Sequence, residues 1–427
     1  MKMLETNKEY FWDTYKDLDK RFKLNKDYSY KYLVNFSQIK NEPIHRWFYY
    51  QEGYSPRLVE NIFEHLKLSG KNIFIFDPFA GSGTTLLTAK HLKKKSSGFE
   101  INPFSAFMIN VKNRNYTLSE LEQVRKFRAP SYKRIPGVYR KYELQIIRNL
   151  FDRAKLEKIE LLKKKIEGVY DRKVRDLLYA ALLCILEDVS NYRKGGNGLK
   201  RKRENKNLDP FLEFERKRSQ MVDDLSKETH GPEPKVINDS CLNMSKYDLK
   251  RIDISIFSPP YANCFDPFEV YKIELWLGEF VSSYSELRAK RRAALTSNLN
   301  ADINKDISHF HRTETLTNII EYLSKKDLWD KRIPKMLDTY FYDMYVLLKT
   351  LYNSTKQGGF CIIVVGNSSY GNLAVPTDLL LAEMGEKAGF VAQEIIEARK
   401  NETSSQQHAK LGKLVEYIRE SLVVLKK

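Results

Sequence analysis

Two short stretches carry residue types that suit chemistry. The first, DPFAGSGTT at residues 77–85, follows the apolar run NIFIF and runs into TTLLTAKHL, which has helical spacing. It is a Gly-rich turn between a strand and a helix, the place where α/β sheets bind ligands. Gly81 and Gly83 let a ligand approach the backbone where a side chain would fill the space. A phosphate-binding P-loop needs a Lys before the Ser or Thr, and here Gly83 precedes Thr84. A dinucleotide turn needs a third glycine, and Leu86 stands there. A ligand with a ribose but no pyrophosphate fits, provided an acid ends the next strand to take its hydroxyls. Glu100, closing SSGFE about 20 residues on, occupies that place.

The second stretch is SPPY, residues 258–261, directly after the apolar run IDISIF. Its side chains therefore emerge at the sheet edge, beside the expected ligand. Pro259 and Pro260 fix φ and remove two backbone donors, leaving a stiff loop that presents carbonyl oxygens. Such a loop suits an amino group. The exocyclic amine of cytosine or adenine is a poor nucleophile because its lone pair is delocalised into the ring. If the Ser258 side chain and the Pro259 carbonyl accept its hydrogens, the nitrogen turns toward tetrahedral geometry and its lone pair aims at an electrophile. Tyr261 would stack on the base.

DPFAGSGTT and SPPY, in this order with Glu100 between them, resemble the amino-methyltransferases of DNA. In that family the first element binds S-adenosylmethionine and the second is catalytic. HRWFYYQEGYSPRLVENIF, residues 45–63, is similar to the family segment that lines the methionine end of the cofactor. The likeness spans residues 43–110 and 235–278, with weaker echoes in GGFCIIVVGNSS and IRESLVVLKK. It implies a Rossmann-like class I methyltransferase fold, a doubly wound and mostly parallel α/β sheet with a helical insertion. It also implies a cofactor site of Tyr54, Ser55, Asp77, Pro78, Phe79, Ala80, Gly81, Ser82, Gly83, Thr84, Glu100, Ile101, Asp239 and Ser240. Within it Asp77, Phe79, Gly81 and Gly83 surround the methionine, Glu100 the ribose, and Asp239 the adenine. The catalytic element is Ser258, Pro259, Pro260 and Tyr261. Ser at position 258 resembles the cytosine-N4 members, whereas Asp or Asn there resembles adenine-N6 members. Adenine N6, an amino group in structured RNA, and a catalytically inactive DNA-binding protein on the same fold remain alternatives.

The elements that must position these residues alternate strand and helix, as an open sheet with helices on both faces requires. Pro103 after Asn102 marks a capped helix running to about Asn113. The expected organisation is an N-terminal arm at 1–40, a cofactor half at 41–116, a helical insertion at 117–234, and an SPPY half at 235–427. The last contains a polar helical insertion at about 279–335. The arm mixes Lys, Asp and Tyr without clear periodicity. KVIND, FCIIVVG at 360–366, VAQEIIEA and ESLVVLK read as further strands.

The 427 residues carry a formal net charge of +18, which suits a polyanionic partner and, failing that, solubility. RKGGNGLKRKREN at 193–205 reads as a loop whose glycines prevent regular structure. Arg193, Lys194, Lys200, Arg201, Lys202 and Arg203 are its candidate phosphate contacts, with a solvated charge run as the alternative. Arg288, Arg291 and Arg292, together with Lys290, form a second basic group. Double-stranded DNA is the expected partner, with a companion restriction endonuclease or other defence proteins. The helical insertion is the expected target-recognition region, with 279–335 as its rival. Four scattered cysteines without a CxxC pair point to a reducing cytoplasm and no structural metal. FCIIVV is far shorter than a membrane span.

Overall fold

The computed structural model describes residues 8–427 other than 51, 69, 71, 197, 205, 206, 250 and 402–404. The seven runs read as strands are all strands, among twelve described strand segments. In chain order they are β1 (Leu24–Lys26), β2 (Phe74–Asp77), β3 (Lys95–Phe99), β4 (Tyr192–Gly195), β5 (Gly198–Arg201) and β6 (Lys235–Ile237). β7 (Ile252–Phe257), β8 (Thr355–Gly366), β9 (Ser368–Tyr370), β10 (Leu373–Val375), β11 (Val391–Lys400) and β12 (Arg419–Lys426) follow. Eight of them form one sheet in the order β1-β11-β12-β8-β7-β2-β3-β6. Only β12 runs against its neighbours β8 and β11; the other pairs are parallel.

This is a mostly parallel, doubly wound α/β sheet, Rossmann-like as the resemblance implies. Its central strands are buried on both faces, which is why they read as continuous apolar runs rather than alternating ones. Cys361, Ile362, Ile363, Val364 and Val365 of β8 are all buried. Among the described residues no helix is long and apolar enough to cross a membrane. The strand order reverses at β2, which has β3 on one side and β7 on the other. Ligands of open α/β sheets bind at such a reversal, beyond the carboxyl ends of the strands. The Gly-rich turn and SPPY leave those two adjacent ends.

Three expectations about elements need correction. The arm is not irregular: Lys8–Arg21 is a helix whose Phe11, Tyr15 and Leu18 are buried, and β1 adds a parallel edge strand at Leu24↔Ile395. Its spacing of four and three is helical, but the charged or polar Asp13, Thr14, Lys16 and Asp17 between them hide it. Residues 1–7 of the arm lie outside the described residues. The tract at 193–205 is not a loop without regular structure either. β4 and β5 pair as an antiparallel hairpin with Lys194 opposite Leu199, and Gly196 at φ 59° makes the tight turn. The glycines thus permit the hairpin. Asn197 and Asn205 of that tract lie outside the described residues. Finally, of the polar stretch at 279–335, Tyr284–Ala293 and Glu314–Ser324 are helices and 294–313 is turns.

Leu118–Lys126, Arg153–Glu167, Arg172–Val189 and Pro210–Leu225 are the longer described helices of the insertion at 117–234. Their buried faces share one apolar cluster with Trp47 and Phe48, with Phe104 and Met108 of the helix Pro103–Asn113, and with Phe268 and Trp276. These helices therefore pack directly behind the segment 44–55 rather than standing apart.

Candidate active site

At the end of β2 the chain turns through Gly81 at φ 52° and Gly83 at φ 83° into the helix Thr84–His91. These conformations suit glycine, and space requires it too. A Cβ on Gly81 would lie 3.1 Å from the Tyr50 ring, and one on Gly83 3.1 Å from Ile109. Glu100 secures the turn from the next strand. Its two carboxylate oxygens accept hydrogen bonds from Gly81 N and Asn102 N, each at 2.7 Å. Asp77 Oδ1 accepts from Phe79 N at 2.9 Å. From behind, the buried Lys112 ammonium donates to the Ser82 carbonyl at 3.2 Å.

These residues and SPPY line one cavity of about 450 Å³. Tyr54, Asp77, Pro78, Phe79, Ala80, Gly81, Ser82, Thr84, Glu100, Ile101 and Ser240 are on its wall with Ser258, Pro259, Pro260 and Tyr261. Three expected cofactor residues are off it. Ser55 is buried and caps the helix Pro56–His65, accepting from Arg57 N. Gly83 packs on Ile109. The Asp239 carboxylate accepts from Ser240 N, Asn243 Nδ2 and Tyr247 Oη. Burial opposes its ionisation, but these bonds outweigh it and lower its pKa. Its neighbours Ser240 and Cys241 face the cavity instead.

Several wall residues were not singled out in the sequence, although Tyr50, Glu52 and Gly53 lie within the segment 45–63 that resembles the methionine-end lining. Tyr50, Glu52 and Gly53 precede Tyr54, and Val34, Asn35 and Phe36 arrive from the arm. The Tyr50 ring stacks on Tyr271 at 5.0 Å and 2°, and Tyr271 Oη donates to Glu52 at 2.5 Å. Arg399 and Glu420 also line the cavity. Their signal was present as charged residues at the ends of apolar strands, opposite each other in the β11–β12 register.

Glu420 organises the catalytic element. Tyr261 Oη donates to Glu420 Oε1 at 2.5 Å, and Arg399 Nε donates to Glu420 Oε2 at 2.6 Å. The Tyr261 ring lies against Gly366, where a Cβ would be 2.8 Å from a ring carbon. Burial, with Glu420 adding to it, raises the Tyr261 pKa well above its ordinary value, so the hydroxyl keeps its proton. Ser258 precedes the two prolines on the same wall, and its hydroxyl oxygen has lone pairs with which to accept from a group in the cavity.

Burial pushes the pKa of Glu100 up to about 8 and those of Asp77 and Glu52 up to about 7. Their hydrogen-bond donors are backbone N–H groups and hydroxyls. Three carboxyl groups so placed favour a ligand that brings positive charge and hydroxyls. S-adenosylmethionine, with a sulfonium, an ammonium and a ribose, has that chemistry, and the residues present fit it.

The basic residues divide. Arg193, Lys200, Arg201 and Arg203 are exposed on and beside the hairpin, and Arg288 and Arg292 are exposed on the helix Tyr284–Ala293. Lys194 departs from the expected phosphate face: it is 2% exposed and paired with Glu274 and Glu187. Alternation along β4 turns it inward, over the rings of Phe48 and Tyr271 at 4.7 and 5.3 Å. Burial opposes its charge, but the two glutamates outweigh that and raise its pKa. Lys202 is half-buried and donates to the carbonyls of Glu187 and Asp188. Arg291 pairs with Asp266 at 2.9 Å and Glu269 at 2.7 Å and lines the cavity.

The N6_N4_Mtase family, described as DNA methylase, matches residues 4–110. The Type II methyltransferase M.AvaI of Nostoc sp. strain PCC 7120 is 29% identical over 429 residues, covering 89% of this chain and 86% of the relative. M.BsoBI of Geobacillus stearothermophilus is 28% identical over 453 residues, covering 92% and 88%. M.MvaI of Kocuria varians is 22% identical over 386 residues, covering 84% of each. The latter two are likewise Type II methyltransferases.

Proposed function

We infer that this chain, an S-adenosylmethionine-dependent DNA amino-methyltransferase, transfers the methyl group to N4 of cytosine in double-stranded DNA. The observation that carries this reading is Ser258, the residue by which SPPY resembles the cytosine-N4 members, on the same cavity wall as the Gly-rich turn. An amino group that donates both hydrogens, to Ser258 Oγ and the Pro259 carbonyl, exposes its own lone pair.

S-adenosylmethionine, the methyl donor, supplies a methyl group already activated by its sulfonium. Asp77, Phe79, Ala80, Gly81 and Tyr54 would hold its methionine end, and Glu100 its ribose. Ser240 would replace Asp239 on the adenine side. Tyr261, fixed by Glu420, Arg399 and Gly366, bounds the place of the target base. Holding nucleophile and methyl in line supplies about 7–11 kcal/mol of the barrier, so positioning rather than general-base catalysis dominates. The methylated nitrogen, which carries one surplus proton and a positive charge, loses that proton to solvent water. The base must leave the duplex, at a cost of a few kcal/mol that the cavity offsets by stacking and hydrogen bonds. The exposed cations of the hairpin and of Tyr284–Ala293 contact phosphates. The relatives' Type II naming supports a place in a restriction-modification system with a companion restriction endonuclease.

Duplex DNA treated with the enzyme, digested to nucleosides and weighed by mass spectrometry is expected to contain N4-methylcytosine. N6-methyladenine in its place refutes the target assignment. Ser258→Ala is expected to lower turnover at least about a hundredfold, the scale of losing one positioned partner of a transition state, with cofactor binding retained. Tyr261→Phe removes the bond to Glu420 that fixes the ring and is expected to cost about tenfold.

A further inference from the structure

We propose that Trp329 is a DNA-stacking residue that enters the gap left in the duplex when the target base moves into the transfer cavity. The proposal rests on the reading above that duplex DNA is the substrate. Of the four tryptophans, Trp47 and Trp276 are each 1% exposed and Trp12 is partly buried, whereas Trp329 is 70% exposed. Exposure alone carries nothing, because single apolar residues are common on surfaces. Its place is what carries the argument.

Trp329 precedes the helix Ile333–Ser354, which runs straight into β8 at Thr355. β8 is parallel to β7. The helix therefore begins at the sheet edge from which SPPY leaves β7, and the residues before it share that edge. Contacts bear this out. Cys264, three residues past Tyr261, has its Sγ 3.5 Å from Met336 Sδ and 3.5 Å from Tyr370 Oη. Tyr370 Oη donates to the Ala262 carbonyl at 2.9 Å. The next residue, Gly371, lies against Leu328, where a Cβ would be 3.0 Å from Leu328 Cδ2. Leu328 is 9% exposed and belongs to the main core, so it pins the loop while its neighbour faces out. Asp330 and Arg332, paired at 2.7 Å, brace the other side.

The charge around the indole suits the same partner. Residues 325–335 contain five basic and two acidic side chains. Methylation of an amino group requires the base to leave the stack, which opens a hole of the size of a base pair's half. Apolar side chains wedged between base steps are a general device for holding such distorted DNA. An indole in a loop pinned by Leu328, at the sheet edge that SPPY leaves and in a segment with an excess of basic residues, supplies that wedge.

The test uses the full chain and two fluorescein-labelled duplexes of mixed sequence, one intact and one with a single abasic site. Binding is followed by anisotropy and indole access by acrylamide quenching. Trp329 is expected to become protected on DNA saturation, and the abasic duplex to bind more tightly than the intact one. Trp329→Ala is expected to weaken binding about tenfold and abolish the abasic preference, on the scale of removing one base-stacking aromatic. Trp329→Phe is expected to keep the preference. Binding with unchanged quenching, or an abasic preference retained by Trp329→Ala, overturns this assignment and leaves the substrate reading standing. Failure of the wild type to bind either duplex overturns both. Protection that grows with protein concentration in the absence of DNA assigns Trp329 to contact between copies and overturns the proposal.

Discussion

Glu100 holds the Gly-rich turn through Gly81 N and Asn102 N while facing the cavity, and the two roles make its charge depend on the ligand. Burial pushes its pKa up to about 8 in the folded protein. The unfolded value is about 4.3, so the folded state binds more protons between the two values. Its contribution to stability is therefore complete below the unfolded value and lost as pH rises through about 8. Ionised, it accepts from hydroxyls and attracts a cationic ligand, so cofactor affinity rises over the window in which stability falls. Asp77, pushed up to about 7, acts in the same direction. The thermal shift produced by S-adenosylmethionine is expected to be larger at about pH 8.5 than at about pH 6.5. Glu100→Gln is expected to stabilise the free protein at the higher pH and to flatten the dependence. A wild-type shift equal at both pH values contradicts this. Glu100 was legible because an acid ending the second strand after a Gly-rich turn has few uses. Asp239 ends a strand in the same way, but Asn243 and Tyr247 take its carboxylate, and no single-residue pattern reveals such partners.

The segment 44–55, which brings Tyr50, Glu52 and Tyr54 to the cavity, has among its described residues only a 3-10 turn, His45–Trp47, before the helix Pro56–His65. Asp224, near the end of Pro210–Leu225, positions it. Its carboxylate accepts from Ile44 N at 3.0 Å, Trp47 Nε1 at 2.9 Å and Arg46 Nη2 at 2.5 Å. Asp224→Ala leaves two buried donors unsatisfied and is expected to cost about 3 kcal/mol in urea denaturation. Cofactor affinity is expected to fall with it, although Asp224 touches no cavity residue of the Gly-rich turn. A loss of under about 1 kcal/mol would remove Asp224 from this role. Elements were legible where their signals were local. β7 and the helix Pro103–Asn113 match their expected bounds, the helix because Asn102 Oδ1 accepts from Phe104 N and Ser105 N as an N-cap. The hairpin of β4 and β5 was not, because strands of four residues each leave too few positions for alternation to show, and only Lys194 among them is buried. A buried lysine reads as a surface one until Glu187 and Glu274 arrive from other helices.

Over the whole molecule, the +18 charge is not all on the surface, since one of the candidate phosphate contacts, Lys194, is an internal brace behind the Tyr271–Tyr50 stack. The hairpin tip nevertheless reaches the cavity at Gly196, and Arg193, Lys200 and Arg201 stand exposed beside it. The other exposed pair, Arg288 and Arg292, belongs to the helix whose Arg291 lines the same cavity. Both basic groups thus flank one opening, which is the arrangement a duplex needs if its backbone is to be held while one base leaves it. The two kinds of lysine and arginine separate by salt dependence. Each phosphate contact contributes about 0.9 to the slope of log affinity against log salt. Arg201→Ala is expected to lower that slope by about 1 and weaken binding to all sequences alike, with cofactor binding unchanged. Lys194→Ala is expected to leave the slope intact while lowering the melting temperature and cofactor affinity, because it strands Glu274 without a cation. Equal slopes for wild type and Arg201→Ala would remove the hairpin from the DNA surface. A reduced slope in Lys194→Ala would mean that the hairpin opens to meet DNA and that its inner cation is exchanged between glutamate and phosphate.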